Sequence, residues 1–351
     1  MVCVASMIHN RYLALYMELF TPIVEANKLN PNFLKFIQEP DIFAQQVVLE
    51  WADGFVDRDN KFILEFQTTF NSSFWELYIF ACLKELKLKV DFSYSSPDFV
   101  IISPNNFFCI EATTANNAVD SSPEWDENTK RQTFLNQDTK SDLNMIVNIA
   151  TIRLANALIS KYKKYKNNYF NLEQVKNQPF VIAIAPFEQP FFYSQNILAI
   201  TRVLYACEHT YEGIKPLESI EKSNGSKIPL GYFTNSQMKE ISAVIFTSTA
   251  TVGKIRALSK DPTLIVFEVL RYPKKGSLPI PEILEKKDYH ETLLDGLHIF
   301  HNPYADIPLA YETFNKPEVV QHSFDVEGRM PMDNAKEGAL IWRKLLRFTW
   351  N

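Results

Sequence analysis

Nine glycines in 351 residues leave little material for the loops that cradle phosphates. Gly231, Gly253 and Gly276 stand in contexts that make neither a P-loop nor a dinucleotide fingerprint, and no GxSxG elbow marks a serine nucleophile. Cysteine is also scarce. Cys3, Cys82, Cys109 and Cys207 lie far apart, without CxxC or histidine-paired spacing, which argues against a zinc knuckle and a disulfide framework. A reducing cytosol is therefore the expected compartment. No run of about 18 apolar residues occurs, and the opening MVCVASMIHNRYLALYMELF lacks a basic region followed by an unbroken apolar stretch. The expectation is a soluble, unsecreted, cytoplasmic chain that engages no membrane. Basic charge is not in surplus either: the net charge is -5, so any surface for nucleic acid has to be a local patch.

What the chain has in quantity is apolar material. With 46% hydrophobic and 13% aromatic residues it can bury a large core, as one elaborated domain or two closely packed ones. Internal repeats and low-complexity stretches are lacking, so boundaries follow segments rich in Pro, Asn, Ser and Lys. Residues 1–69 read as a helical, aromatic cap, 70–190 as an α/β core, and 191–351 as an α/β extension packed on that core.

Within 70–190 the order of elements is helix, three strands, helix, strand. A helix opens near Asn71, with Ser73 as N-cap and Glu76 three residues on, and FWELYIFACLKELK is apolar almost all round. Strands follow at 90–92, 98–102 and 107–113. A polar loop over 114–140 leads to an amphipathic helix over 141–166, and PFVIAIAPF, 179–187, reads as a fully buried strand. Beyond residue 189, the stretches 241–250, 263–273 and 296–309 read as further strands of the same sheet or of a second lobe.

The stretch SSPDFVIISPNNFFCIEATTAN holds the chemistry. A hairpin turning between Pro104 and Asn105 pairs residues whose numbers sum to 209, which sets Asp98 across from Glu111. Facing β-carbons in such a ladder are about 4.5 to 5.5 Å apart. Two acids so placed in an apolar setting repel, and one stays protonated unless a cation lies between them. A hard divalent ion such as Mg²⁺ resolves the conflict and keeps positions for phosphate oxygens. Glu76 shares a helix face with Phe80 and Leu83 and adds a third acid, with the capping box as its competing role.

These residues resemble the PD-(D/E)xK, restriction-endonuclease-like nuclease superfamily: Glu76 on a helix, Pro97-Asp98 on a strand and Glu111-Ala112-Thr113 on the next, over roughly residues 70 to 190. The resemblance implies an α-β-β-β-α-β core with a mixed sheet and a metal-dependent phosphodiesterase acting on DNA or RNA, with a homodimer favoured where two strands are cut. It implies that Asp98 and Glu111 hold Mg²⁺ or Mn²⁺ with help from the Ala112 carbonyl, and that a lysine orients the attacking water. This chain departs from the motif by carrying Thr113 where the family has that lysine. On the following helix Lys161 continues the stripe Leu143, Val147, Ala150, Leu154, Ala157, Leu158, which makes it the candidate for a displaced lysine, with Arg153 behind it. A snorkelling lysine at a helix end is the competing reading, and Lys163, Lys164 and Lys166 read as a solvated end. A second class of function stays open, a binding protein on the same fold without catalysis. His298 and His301 lack a third ligand for zinc and read as structural. Lys254, Arg256, Lys260, Lys274 and Lys275 read as charged loop surface.

Overall fold

The computed structural model describes residues 18–37, 42–116, 123, 126, 139–210 and 212–346, of which 139–142 by backbone alone. Cys3, Pro40 and most of the polar loop over 114–140 lie outside these residues.

The helices that matter are α1 (Pro31–Ile37), α2 (Ile42–Ala52), α3 (Phe62–Thr68), α4 (Phe70–Glu85), α5 (Thr139–Lys164), α6 (Leu198–Tyr205) and α7 (Val252–Leu258). A seven-stranded mixed sheet lies between them. Its order is β1 (Phe99–Ser103), β2 (Asn106–Thr114), β3 (Phe180–Ala185), β8 (Ala243–Phe246), β11 (His298–His301), β12 (Val320–Asp325) and β13 (Met330–Asp333). β2, β3 and β8 run parallel, while β1 and β11 are antiparallel to their neighbours in that block. Two short hairpins, β4 (Cys207–Thr210) with β5 (Gly213–Pro216) and β6 (Ser219–Glu221) with β7 (Lys227–Pro229), stand apart from this sheet. So does a three-stranded sheet of β10 (Glu282–Glu285), β9 (Val266–Arg271) and β14 (Leu340–Leu346).

The two-residue period of a strand divides the core in two. Val181, Ala183 and Ala185 of β3 face the aromatic layer of α1–α4, whereas Phe180, Ile182 and Ile184 face α5 and α6. The alanines on the first face let α4 approach closely enough for the Trp75 indole to donate to the Ala183 carbonyl at 3.0 Å. On the second face Val147, Ala150, Leu154 and Leu158 of α5 are buried, but Leu143, the first member of the expected stripe, is 37% exposed. The segment Leu143–Tyr169 is long and apolar enough to cross a bilayer by length and composition, and here those four residues cover the sheet.

Two local expectations are corrected. α4 begins at Phe70, so Ser73 is a buried residue inside the helix and not its N-cap, and the capping-box role for Glu76 falls away. The run Phe70-Asn71-Ser72 continues the helix because Phe70 packs into the aromatic layer with Phe36, Phe66 and Phe74. Residues 90–92 form a single bridge, Val90 to Ile101, in place of a strand. Of the stretches beyond 189, β8 and β11 join the large sheet while β9 enters the small one.

One glycine fixes the approach to β11. Gly296 has φ +74°, and a β-carbon there would stand 2.4 Å from Thr249 Oγ1. Gly296→Ala is expected to destabilise the chain by about 2 kcal/mol or more in urea unfolding, since both the backbone and the contact oppose it.

Candidate functional site

The hairpin takes the expected register. Phe99 faces Ile110 and Ser103 faces Asn106, so the pairs sum to 209 and the turn falls on Pro104 and Asn105. Asp98 stands one residue before β1, at the position that this register sets against Glu111. Its Oδ2 accepts from the Ala112 amide at 2.7 Å. The backbone leading into Asp98 is held on two sides: Arg58 Nη1 donates to the Tyr94 and Pro97 carbonyls at 2.7 and 3.2 Å, and Gln174 Nε2 donates to the Ser96 carbonyl at 2.6 Å. Sequence reasoning missed Arg58 because its carbonyl partners lie 36 and 39 residues away and leave no local spacing.

Glu111 is 1% exposed and points to the α5 face, the side of its neighbour Cys109. Its Oε1 accepts from Lys161 Nζ at 2.7 Å and from Lys164 Nζ at 2.8 Å. Lys161, expected from the helical stripe, is thus brought to the acid pair. Lys164, expected as part of a solvated helix end, is corrected: it is the last residue of α5 and reaches the same oxygen. A wide π-type turn at Tyr165–Tyr169 follows and brings the Tyr169 ring to 5.0 Å from Lys164 Nζ. The only signal for Lys164 was its i+3 spacing from Lys161, which puts both on one face of the helix.

The acids carry the strain of sharing a partly dry space. Burial, the Asp98 charge and the Glu65 charge push the Glu76 carboxyl up to about 8. Burial and the Glu111 charge raise Asp98 to about 6, against the opposing pull of the Ala112 amide and of Lys161 and Lys164. Burial alone would lower Lys164, but its bonds to Glu111 and Tyr169 outweigh that and leave it above its ordinary value. Glu111 Oε2 is buried without a hydrogen-bond partner among the described residues, a costly state for a carboxylate oxygen.

Other sequence candidates fall elsewhere. Thr113 sits two residues beyond Glu111, half-buried and paired with Ile184, and no hydrogen bond joins it to the acids. Arg153 is drawn to Glu188, beyond the end of β3, and not to Glu111. His298 and His301 are buried in β11: His298 Nδ1 meets His322 Nε2 at 2.9 Å, and His301 Nε2 meets Gln321 Oε1 at 2.9 Å. Burial holds both rings below the usual histidine range, as structural residues. Lys254 is corrected from loop surface to a fully buried residue of α7 paired with Glu291. Arg256 pairs with Asp261 at 3.2 Å, while Lys260, Lys274 and Lys275 are exposed. Cys82, Cys109 and Cys207 are free and buried, and burial raises each thiol, Cys82 and Cys109 to about 12 and Cys207 to about 11.

Among the described residues no three His, Cys, Asp or Glu side chains are grouped to enclose a metal ion by themselves. Magnesium is commonly held by one or two carboxylates with waters and substrate oxygens, and the unpartnered Glu111 Oε2 beside a proton-hungry Asp98 has the donor chemistry for that. No family model, no curated protein and no solved structure matches the chain.

Proposed function

We propose that the chain is a divalent-metal-dependent phosphodiesterase acting on nucleic acid, built on a restriction-endonuclease-like core formed by α4, β1, β2, α5 and β3. The observation that carries this reading is the pair of ammonium groups on Glu111: Lys161 and Lys164 at 2.7 and 2.8 Å supply the positive charge that Thr113 lacks. Asp98 and Glu111 would hold Mg²⁺ or Mn²⁺, with the Ala112 carbonyl the further ligand that the resemblance implies. When bound, such an ion acidifies a coordinated water and polarises a phosphoryl oxygen. The chain's own residues supply the rest. Lys161 and Lys164 orient water and offset charge developing on phosphate. Glu76, with its pKa pushed up to about 8 by burial and the Asp98 charge, holds a proton at neutral pH and so adds no further negative charge to the acid pair.

One observation favours a second reading, a binding protein without catalysis. Two lysines on one carboxylate oxygen already neutralise Glu111 with no metal present. Titration of Mn²⁺ or Mg²⁺ into wild type and Asp98→Ala by calorimetry, paired with cleavage assays on plasmid and on single-stranded RNA, separates the two. The expected result is metal binding and cleavage in the wild type, both lost in the variant. Absence of metal binding in both proteins leaves the second reading standing.

A further inference from the structure

A second group of buried charges shares no residue with the hairpin acids and their lysines. Lys254 on α7, Glu291 before β11 and Arg343 on β14 have side chains at most 1% exposed. Lys254 Nζ is surrounded by three acceptors: Glu291 Oε1 at 2.6 Å, the Asp295 carbonyl at 2.6 Å and the Thr292 carbonyl at 3.1 Å. Three acceptors on one nitrogen need the ammonium form, because a neutral amine has only two hydrogens to donate. Arg343 is charged at any ordinary pH, and it donates from Nε to Glu291 Oε2 at 2.7 Å and from Nη2 to the Thr249 carbonyl at 2.7 Å. The neighbouring Arg271 and Asp295 pair with each other at 3.0 Å. With Arg271, three cations meet the two carboxylates Glu291 and Asp295, which leaves one positive charge over in the group. Water meets part of that charge where Arg271 is 28% exposed, and an anion beside Arg343 would meet it at the buried end.

Arg343 has one nitrogen left to meet it. Nη1 makes no hydrogen bond among the described residues, and it lies against Gly253, where a β-carbon would come within 2.0 Å of it. Arg343 and Gly253 both line a cavity of about 310 Å³, whose wall has an aromatic part, with Phe74, Phe187 and Phe191, and a polar part that includes Lys35 and Lys344. Its position suits a ligand. After β3 the chain passes to α6 on one face of the sheet, and after β8 it passes to α7 on the other, so a crevice opens beyond the carboxyl ends of two adjacent parallel strands. Open α/β sheets take ligands at such a crevice. Phe191 is held there at φ +62°, a conformation that bulky residues avoid and that is found mainly where the surroundings impose it.

We propose that this cavity binds a small planar aromatic anion, a ring bearing a carboxylate or phosphate, with the anionic group on Arg343 Nη1 and the ring among the phenylalanines. Either half alone fits less well. An uncharged ring leaves the cluster's charge unmet, and a bare inorganic anion gains nothing from the aromatic part of the wall. The volume stands at the lower end for ligand pockets, which suits one ring system. This site is separate from the hairpin acids and does not depend on their reading.

Calorimetric titration of the full chain with phenyl phosphate and with 1-naphthoate tests it, with inorganic phosphate and benzyl alcohol as the half-ligands. The expected result is saturable one-to-one binding of at least one aromatic anion, about tenfold or more tighter than either half-ligand. Arg343→Lys keeps the charge but removes the free Nη1, and Phe191→Gly removes a ring while relieving the left-handed backbone. Both are expected to weaken binding about tenfold or more, with Phe191→Gly keeping the wild-type thermal midpoint. Glu111→Gln should bind the same probe as wild type does, since it alters only the hairpin site. The proposal is overturned if neither aromatic anion binds saturably, if inorganic phosphate binds as tightly, or if Phe191→Gly binds as wild type. Should Arg343→Lys fail to fold, the wild-type probe series and Phe191→Gly decide the matter.

Discussion

Lys161→Met with Lys164→Met is expected to lower stability by about 3 kcal/mol near pH 7 and to abolish cleavage, a loss of about a thousandfold or more if the proposed activity holds. The stability loss follows from burial. Glu111 is 1% exposed and its Oε1 accepts from both ammonium groups, so their removal leaves a carboxylate in the interior without a counter-ion among the described residues, and it must take up a proton or draw in water. The lysines themselves are 21% and 40% exposed, which limits what their own desolvation contributes. Each single variant should lose less than half of the double-variant effect, because the remaining lysine still meets the oxygen. Adding Glu111→Gln to the double variant should restore most of the stability, and it should restore no cleavage. Urea unfolding of the four variants and the wild type reads the first part. A double variant as stable as wild type would mean that these contacts carry little of the energy of the site.

Stability is also expected to fall as pH rises through the neutral range, with a slope that Glu76→Gln removes. The sign comes from proton counting. Glu76 is raised from 4.5 to about 8 in the folded chain, so between those values the native state binds a proton that the unfolded state has released. The benefit is complete below pH 4.5 and lost above about 8, a change on the order of 5 kcal/mol. Asp98, raised from 3.8 to about 6, adds a smaller loss in the same direction over its own window. Since each acid raises the other, the slope belongs to the pair. Bound Mg²⁺ should oppose the trend by replacing the protons, so the thermal midpoint at pH 8 should rise on adding magnesium and barely move at pH 5. Calorimetric melts across pH in wild type and Glu76→Gln test this, and a flat wild-type profile would refute it.

The hairpin was legible because its register depends on local matter. The turn SPNN and the alternation of FVII against FFCI leave one pairing that keeps apolar side chains inside, and Asp98 and Glu111 follow from it. Lys161 was legible for a similar reason, since a helical stripe says which face meets the sheet. Lys164 was not, because a helix-end lysine next to Lys163 and Lys166 looks solvated until the turn at Tyr165–Tyr169 directs the chain back. The start of α4 was misread because Ser73 and Glu76 fit a capping pattern, and only packing among Phe36, Phe66 and Phe70 shows that the helix has already begun. Lys254 was the least legible. Its partner Glu291 is distant in sequence and Arg343 more so, and composition alone carries no sign of such long-range pairing.

That distance bears on the order in which the protein matures during synthesis. The seven-stranded sheet is complete in sequence at Asp333, before β14 has left the ribosome. Until β14 emerges, Glu291 has one of its two counter-ions and β9 lacks one of its two neighbours in the small sheet. Domains tend to assemble as the growing chain supplies them. The nascent chain can therefore carry a finished hairpin site while the aromatic cavity still lacks the wall that Arg343 provides.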